Sequence, residues 1–101
     1  MDFNHFLTSY MPDPSIGSKV HFQNMIDQAV LAEKLGYKTV SIPEHHLVNL
    51  LMMPSPLQMA VKIATLTKDI KISTSVVVLP LHDMRTYAGE VVTADILTEG
   101  R

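Results

Sequence analysis

The chain has no cysteine, no tryptophan and only four glycines in 101 residues. Without cysteine there is no disulfide framework and no thiolate catalysis. Eight Lys and Arg against ten Asp and Glu leave a formal net charge of −2, and no basic run is present. That excludes the electrostatic footprint of a nucleic-acid partner. No stretch reaches the roughly 18 continuous apolar residues of a membrane helix, so no membrane partner is expected. The start, Met1-Asp2-Phe3-Asn4-His5, lacks the basic and then apolar regions of a signal peptide, and a cytoplasmic location is the expectation. Hydrophobic residues make up 47% of the chain. That is enough for one globular unit, with the apolar weight of buried parallel strands or of a surface covered by more protein.

Apolar periodicity divides the chain into six elements. Residues 3–8 read as a strand with Phe3, His5 and Leu7 on one face and Asn4, Phe6 and Thr8 on the other. Ser9 to Gly17 is a loop with two prolines, long enough to contact a ligand. A helix is predicted over 18–35, with Ser18 as a candidate N-cap and Gly36 ending it. Its apolar stripe is Phe22, Ile26, Ala29, Val30 and the run from Ala32 to Leu35. A second strand covers 39–42. Ser55 and Pro56 open a second helix over 56–67, with Leu57, Ala60, Val61, Ala64 and Leu66 on its buried side. The third strand is predicted over 70–79. Its final run, Val76-Val77-Val78-Leu79, is apolar at every position and implies two buried faces. Asp83 caps a last helix over 84–98, and Gly100 ends it. The order β-α-β-α-β-α, with a period of roughly 35 residues, is that of right-handed βαβ units in a parallel sheet. The first strand-to-helix loop carries neither G-x-G-x-x-G nor a P-loop, which weighs against classical dinucleotide and nucleotide sites.

The chemistry concentrates where the second strand ends, at Ile42-Pro43-Glu44-His45-His46. Strand ends are where α/β proteins keep their proton-transfer groups. A histidine titrates near neutral pH, and Glu44 can orient a ring by accepting its N–H. Adjacent residues on an extended segment point opposite ways, which favours one histidine, His45, over His46. A metal reading would draw on Glu44, His45, His46, His5 or His82, but contiguous ligands lack the usual i, i+4 or hairpin spacing, and no metal is expected. Tyr10 and Met11 read as loop packing, and the seven methionines as core filler or the lining of an adaptable apolar pocket. His82 and Arg85 receive no role.

Four blocks carry a family resemblance. They are Phe6-Leu7-Thr8-Ser9-Tyr10-Met11-Pro12, then Leu35 through Ile42-Pro43-Glu44-His45-His46, then Ser73-Thr74-Ser75-Val76-Val77-Val78-Leu79-Pro80-Leu81-His82-Asp83, and finally Asp95-Ile96-Leu97-Thr98-Glu99-Gly100-Arg101. In this order, across essentially the whole chain, they resemble the bacterial luciferase-like flavin-dependent monooxygenases. The resemblance implies a (β/α)8 TIM barrel, of which 101 residues form an N-terminal β-α-β-α-β-α portion, since a full barrel takes roughly 250 residues. It implies reduced FMN as cofactor, or a deazaflavin in hydride-transferring branches, with O2 and a small apolar molecule as co-substrates. A flavin reductase as supplier and a dimer are further expectations.

By the same resemblance His45 is the active-site base beside the flavin, and Glu44, His45, Thr74, Ser75 and Val76 are cofactor-binding. A non-proline cis peptide of the family maps to Ser75–Val76, and the flavin-phosphate contacts map beyond Arg101. The segment Leu47 to Met53 is more apolar than the polar loop of the pattern, a departure that bears on substrate class. Two other readings stay open. One is a non-catalytic partial barrel that associates with itself or another chain. The other is a flavin-free barrel enzyme using Glu44 and His45 as an acid-base pair.

Overall fold

The computed structural model describes all 101 residues. Three parallel strands form one sheet in the order β1 (Asn4–Phe6), β2 (Thr39–Ile42) and β3 (Lys71–Thr74). Three helices follow them in turn: α1 (Ser18–Lys34), α2 (Pro56–Ala64) and α3 (Met84–Leu97). Asn4, His5 and Phe6 lie opposite Thr39, Val40 and Ser41, and Val40, Ser41 and Ile42 lie opposite Ile72, Ser73 and Thr74. Because all strands run the same way, their C-terminal ends and the loops that leave them share one rim.

Side-chain alternation sorts the two faces. Leu7, Val40 and Ile42 are fully buried and join Met25, Ala29, Met59 and Ile63 in a core between the sheet and α1 and α2. Burying such side chains contributes about 1.5–3 kcal/mol each, the main force that closes helices onto the sheet. The opposite face is polar at mid-height. Ser41 Oγ donates to Asn4 Oδ1 at 3.1 Å and lies 2.8 Å from Ser73 Oγ, a ladder across all three strands.

Polar ties fix the frame at its lower end. Glu33 Oε1 accepts the backbone N–H groups of Lys68, Asp69 and Ile70 at 2.7–2.9 Å, which holds the entry of β3 against α1. Partial burial pushes the Glu33 carboxyl up. The N–H groups of Ile70, Asp69 and Lys68 and the charge of Arg101 outweigh this and hold it below its usual 4.5. The Arg101 guanidinium donates to Ala64 O, Thr67 Oγ1 and Thr98 O, joining the C-terminal ends of α2 and α3. The Arg101 carbonyl accepts the Ile72 N–H at 2.7 Å, so the outer edge of β3 is partly paired.

The elements depart from the sequence reading where hydrogen bonding overrides pattern. β1 is shorter than 3–8: Leu7 N–H still reaches Ser41 O, but Thr8 turns its hydroxyl to the Tyr10 N–H and leaves the ladder. β3 ends at Thr74, which lies opposite Ile42, the last residue of β2. The valine run is therefore not a doubly buried strand. Val76 is 67% exposed, and Leu79–Leu81 forms a 3-10 turn. The Ser75–Val76 peptide bond is cis.

The helix boundaries shift as well. The N-cap of α1 is Gly17 rather than Ser18. α2 ends at Ala64, where the hydroxyls of Thr65 and Thr67 turn back to Lys62 O and Ile63 O, and Leu66 is exposed. Met59 and Ile63 take the buried positions instead. Leu35 is exposed too, because α1 closes there in a Schellman turn: Gly36 N–H bonds Glu33 O and Tyr37 N–H bonds Ala32 O, with Gly36 at φ +88°. At the end of α3, Glu99 as well as Gly100 adopts positive φ.

Candidate active site

The rim at the C-terminal strand ends gathers two segments. Ile42-Pro43-Glu44-His45 leaves β2, and Ser75 to His82 leaves β3. Two hydrogen bonds hold them side by side: Ser75 N–H to Ile42 O at 2.7 Å, and Val78 N–H to Glu44 Oε2 at 2.9 Å. Val76 lies between these two ties and stands exposed on the same rim as Phe6.

Glu44 is the hub. Its side chain is fully buried. Oε1 lies 2.6 Å from His46 Nε2 and 2.7 Å from His82 Nε2, while Oε2 takes the Val78 N–H. Burial pushes this carboxyl up. The bonds from His46, Val78 and His82 outweigh it and hold the carboxyl below its usual 4.5. His82 in turn stacks on Tyr87 of α3, with ring centroids 4.2 Å apart and planes tilted by 38°. Burial, and then the negative charges of Glu44 and Glu90, raise the Tyr87 phenol above 10. The three donor atoms of Glu44, His46 and His82 lie within 4.8 Å of one another. Their 2.6–2.7 Å contacts are hydrogen-bond separations. Ligands 2.0–2.1 Å from a tetrahedral zinc ion would stand about 3.3 Å apart.

His45 is placed differently. Its backbone N–H bonds Met53 O at 2.8 Å, which pins the base of the loop. The loop is pinned again where Met52 N–H meets Ser9 O and Met11 N–H meets Leu50 O. These bonds stack the two strand-to-helix loops of β1 and β2. Between them opens a cleft of about 900 Å³, bordered by His45, His46, Met11, Val48, Leu51 and Met52. Leu47, at φ +55°, is fully exposed at its lip.

The structure thus brings Glu44, His45, Ser75 and Val76 to one rim. It does not bring Thr74 there. Thr74 shares the helix side of β3 with Ile72 and borders a separate cavity with Leu57, Ala60, Val77 and Tyr87. Glu44 accepts from a ring, as the sequence reading expected of it without naming which, and the rings it orients are those of His46 and His82. The sequence reading named His82 only in the metal set it did not favour and gave it no role at the site. No local sequence signal places it there: the contact with Glu44 spans 38 residues. Met11, read as loop packing, is buried and borders the cleft.

A family model for luciferase-like monooxygenases matches residues 1–101. Over 101 residues the chain is 35% identical to the uncharacterized protein y4vJ of Sinorhizobium fredii, covering all of this chain and 29% of that protein. It is 30% identical to the oxygenase component of the flavin-dependent trigonelline monooxygenase of Acinetobacter baylyi, over 79% of this chain and 22% of the relative. Its fold superposes with a TM-score of 0.91 on the oxygenating constituent of 3,6-diketocamphane monooxygenase from Pseudomonas putida, a type II Baeyer-Villiger monooxygenase in complex with FMN. That match has 25% identity and covers 99% of this chain and 27% of the other. The chain belongs to the luciferase-like monooxygenase family. Its parallel α/β arrangement corresponds to part of the barrel of these enzymes, and it spans less than a third of the length of the relatives named here.

Proposed function

We propose that this chain forms part of a reduced-FMN and O2 site in a monooxygenase acting on a small apolar molecule. The observation that carries the reading is the single rim shared by His45 and the Ser75–Val76 segment, in a chain of this family. The rim suits a flavin. Val76 and Phe6 leave apolar surface uncovered at the strand ends, where a flat ring gains by burial, and Ser75 and His45 set polar groups beside it. Reduced FMN, when bound, supplies the electrons that activate O2. His45 serves as the base next to it, and Glu44 acts behind the rim by holding the Val78 N–H and with it the Ser75–Val76 segment.

The apolar border of the cleft, from Met11, Val48, Leu51 and Met52, favours an apolar substrate that displaces poorly held water. Two of the matched proteins are described as an oxygenase component and an oxygenating constituent. Those words support a separate flavin reductase as the source of reduced FMN. No helix here is long and apolar enough to cross a membrane.

Titration of the 101-residue chain with FMN and with reduced FMN, followed by flavin fluorescence, tests the reading. Saturable quenching that weakens in Val76→Asp is expected. Quenching that Val76→Asp leaves unchanged would overturn the assignment of the flavin to this rim.

A further inference from the structure

The cleft holds two adjacent histidines in unlike states. The His45 ring has no hydrogen-bonding partner in the protein, whereas the His46 ring is locked through Nε2 to a buried carboxylate. We infer that Glu44 and His46 form a carboxylate–imidazole dyad that presents the His46 Nδ1 lone pair to the cleft as a proton acceptor, with His82 as a positioning residue for Glu44. The role in a reaction rests on the function proposed above; the dyad itself does not.

Hydrogen-bond accounting leads to this. Oε1 of Glu44 meets two imidazole nitrogens and Oε2 meets a backbone N–H. An ionised carboxylate is acceptor-only, and with it every one of these contacts runs from donor to acceptor. Each imidazole then carries its proton on Nε2. In a neutral ring that leaves Nδ1 as a bare acceptor. Neither Nδ1 is among the buried atoms that lack a partner, so both are open to solvent. The two rings differ in setting. His46, with 29% of its side chain exposed, borders the apolar cleft. His82 lies against Tyr87 and does not border it.

The arrangement has the logic of a carboxylate-backed base: the carboxylate selects the tautomer and then stabilises the imidazolium. An acidic O–H or N–H in the cleft gives its proton to His46 Nδ1. The bond to hydrogen breaks with its electron pair left on the donor atom. The new imidazolium keeps its Nε2–H on Glu44, and the two opposite charges remain paired. Reversal returns the proton, and no electron changes hands. The titratable groups facing the pair are His82 and, behind it, Tyr87, which feels the charge of Glu90.

Long-range 1H–15N spectra of the imidazoles in the 101-residue chain, taken at a pH where the rings are neutral, test this directly. His46 and His82 should each show a single Nε2–H tautomer with an imine-type Nδ1, while His45 shows a mixture. In Glu44→Gln the His46 signals should move to a tautomer mixture. A wild-type His46 that carries its proton on Nδ1 would overturn the dyad, and this outcome needs no variant to fold. Oxidised FMN is then added as a probe. Shifts in the His45 and His46 rings are expected. Rings that stay unmoved by FMN, with the Nε2–H tautomer intact, would overturn the role in flavin chemistry and leave the dyad standing.

Discussion

Replacing Glu44 by Gln removes one charge and almost no volume, so its effect isolates the hydrogen-bond hub. A glutamine side chain has one acceptor oxygen and one NH2 donor. With the oxygen turned toward the histidines, both rings keep an acceptor, but the NH2 confronts the Val78 N–H. With the oxygen turned toward Val78, the NH2 confronts two Nε2–H groups, and both rings must change tautomer. In the first orientation a donor is stranded at a buried position, which costs about 1–3 kcal/mol; in the second the contacts are kept only by moving the proton of both rings to Nδ1; in both, the bonds lose their charge assistance. A loss of about 1–3 kcal/mol follows. With a urea slope of about 1–3 kcal/mol per molar for a small domain, the unfolding midpoint should fall by roughly 1 M. The effect must also depend on pH. The Glu44 carboxyl sits below its usual 4.5 in the folded chain. Its contribution is therefore fully present above that value and is lost as pH falls through the lowered one. Urea transitions followed by circular dichroism should thus show a gap between wild type and Glu44→Gln at neutral pH that closes on acidification. A gap of the same size at neutral pH and well below the carboxylate range would refute the claim that an ionised Glu44 makes these bonds.

Other substitutions probe the frame. Ile63→Ala opens a cavity at a fully buried site between α2 and the sheet, and should cost about 2–5 kcal/mol in urea unfolding. Arg101→Lys keeps the charge but cannot reach Ala64 O, Thr67 Oγ1 and Thr98 O together. A loss of about 1–2 kcal/mol, read as a lower thermal midpoint, is expected. Gly36→Ala forces a Cβ into φ +88° and should cost about 1–2 kcal/mol despite the open space around it. Acidification should also loosen the tie between α1 and β3. The Glu33 carboxyl is held low in the folded chain, so its grip on the Lys68–Ile70 turn is present above 4.5 and fades as pH drops through the lowered value. Amide hydrogen exchange at Ile70 measures that release.

Local chemistry alone determined much of this protein. Side-chain periods of 2 and 3.6 set the order of strands and helices, and Asp83 caps α3 because its carboxylate accepts the N–H groups of Arg85 and Thr86 two and three residues on. The Glu44-His45-His46 run lies on the rim because chain order and parallel strands place every β-to-α loop there. Tertiary structure alone decided the rest. A strand lasts only as long as its neighbour offers hydrogen bonds, so β3 stops with β2 although the valines continue. Thr74 turned to the helix side for the same reason of register. Which imidazole a carboxylate holds is a matter of three dimensions: His82 is 38 residues from Glu44 in sequence and 2.7 Å from it in space. No periodicity encodes that contact, because it exists only once the third strand has ended and its exit has folded back over the second.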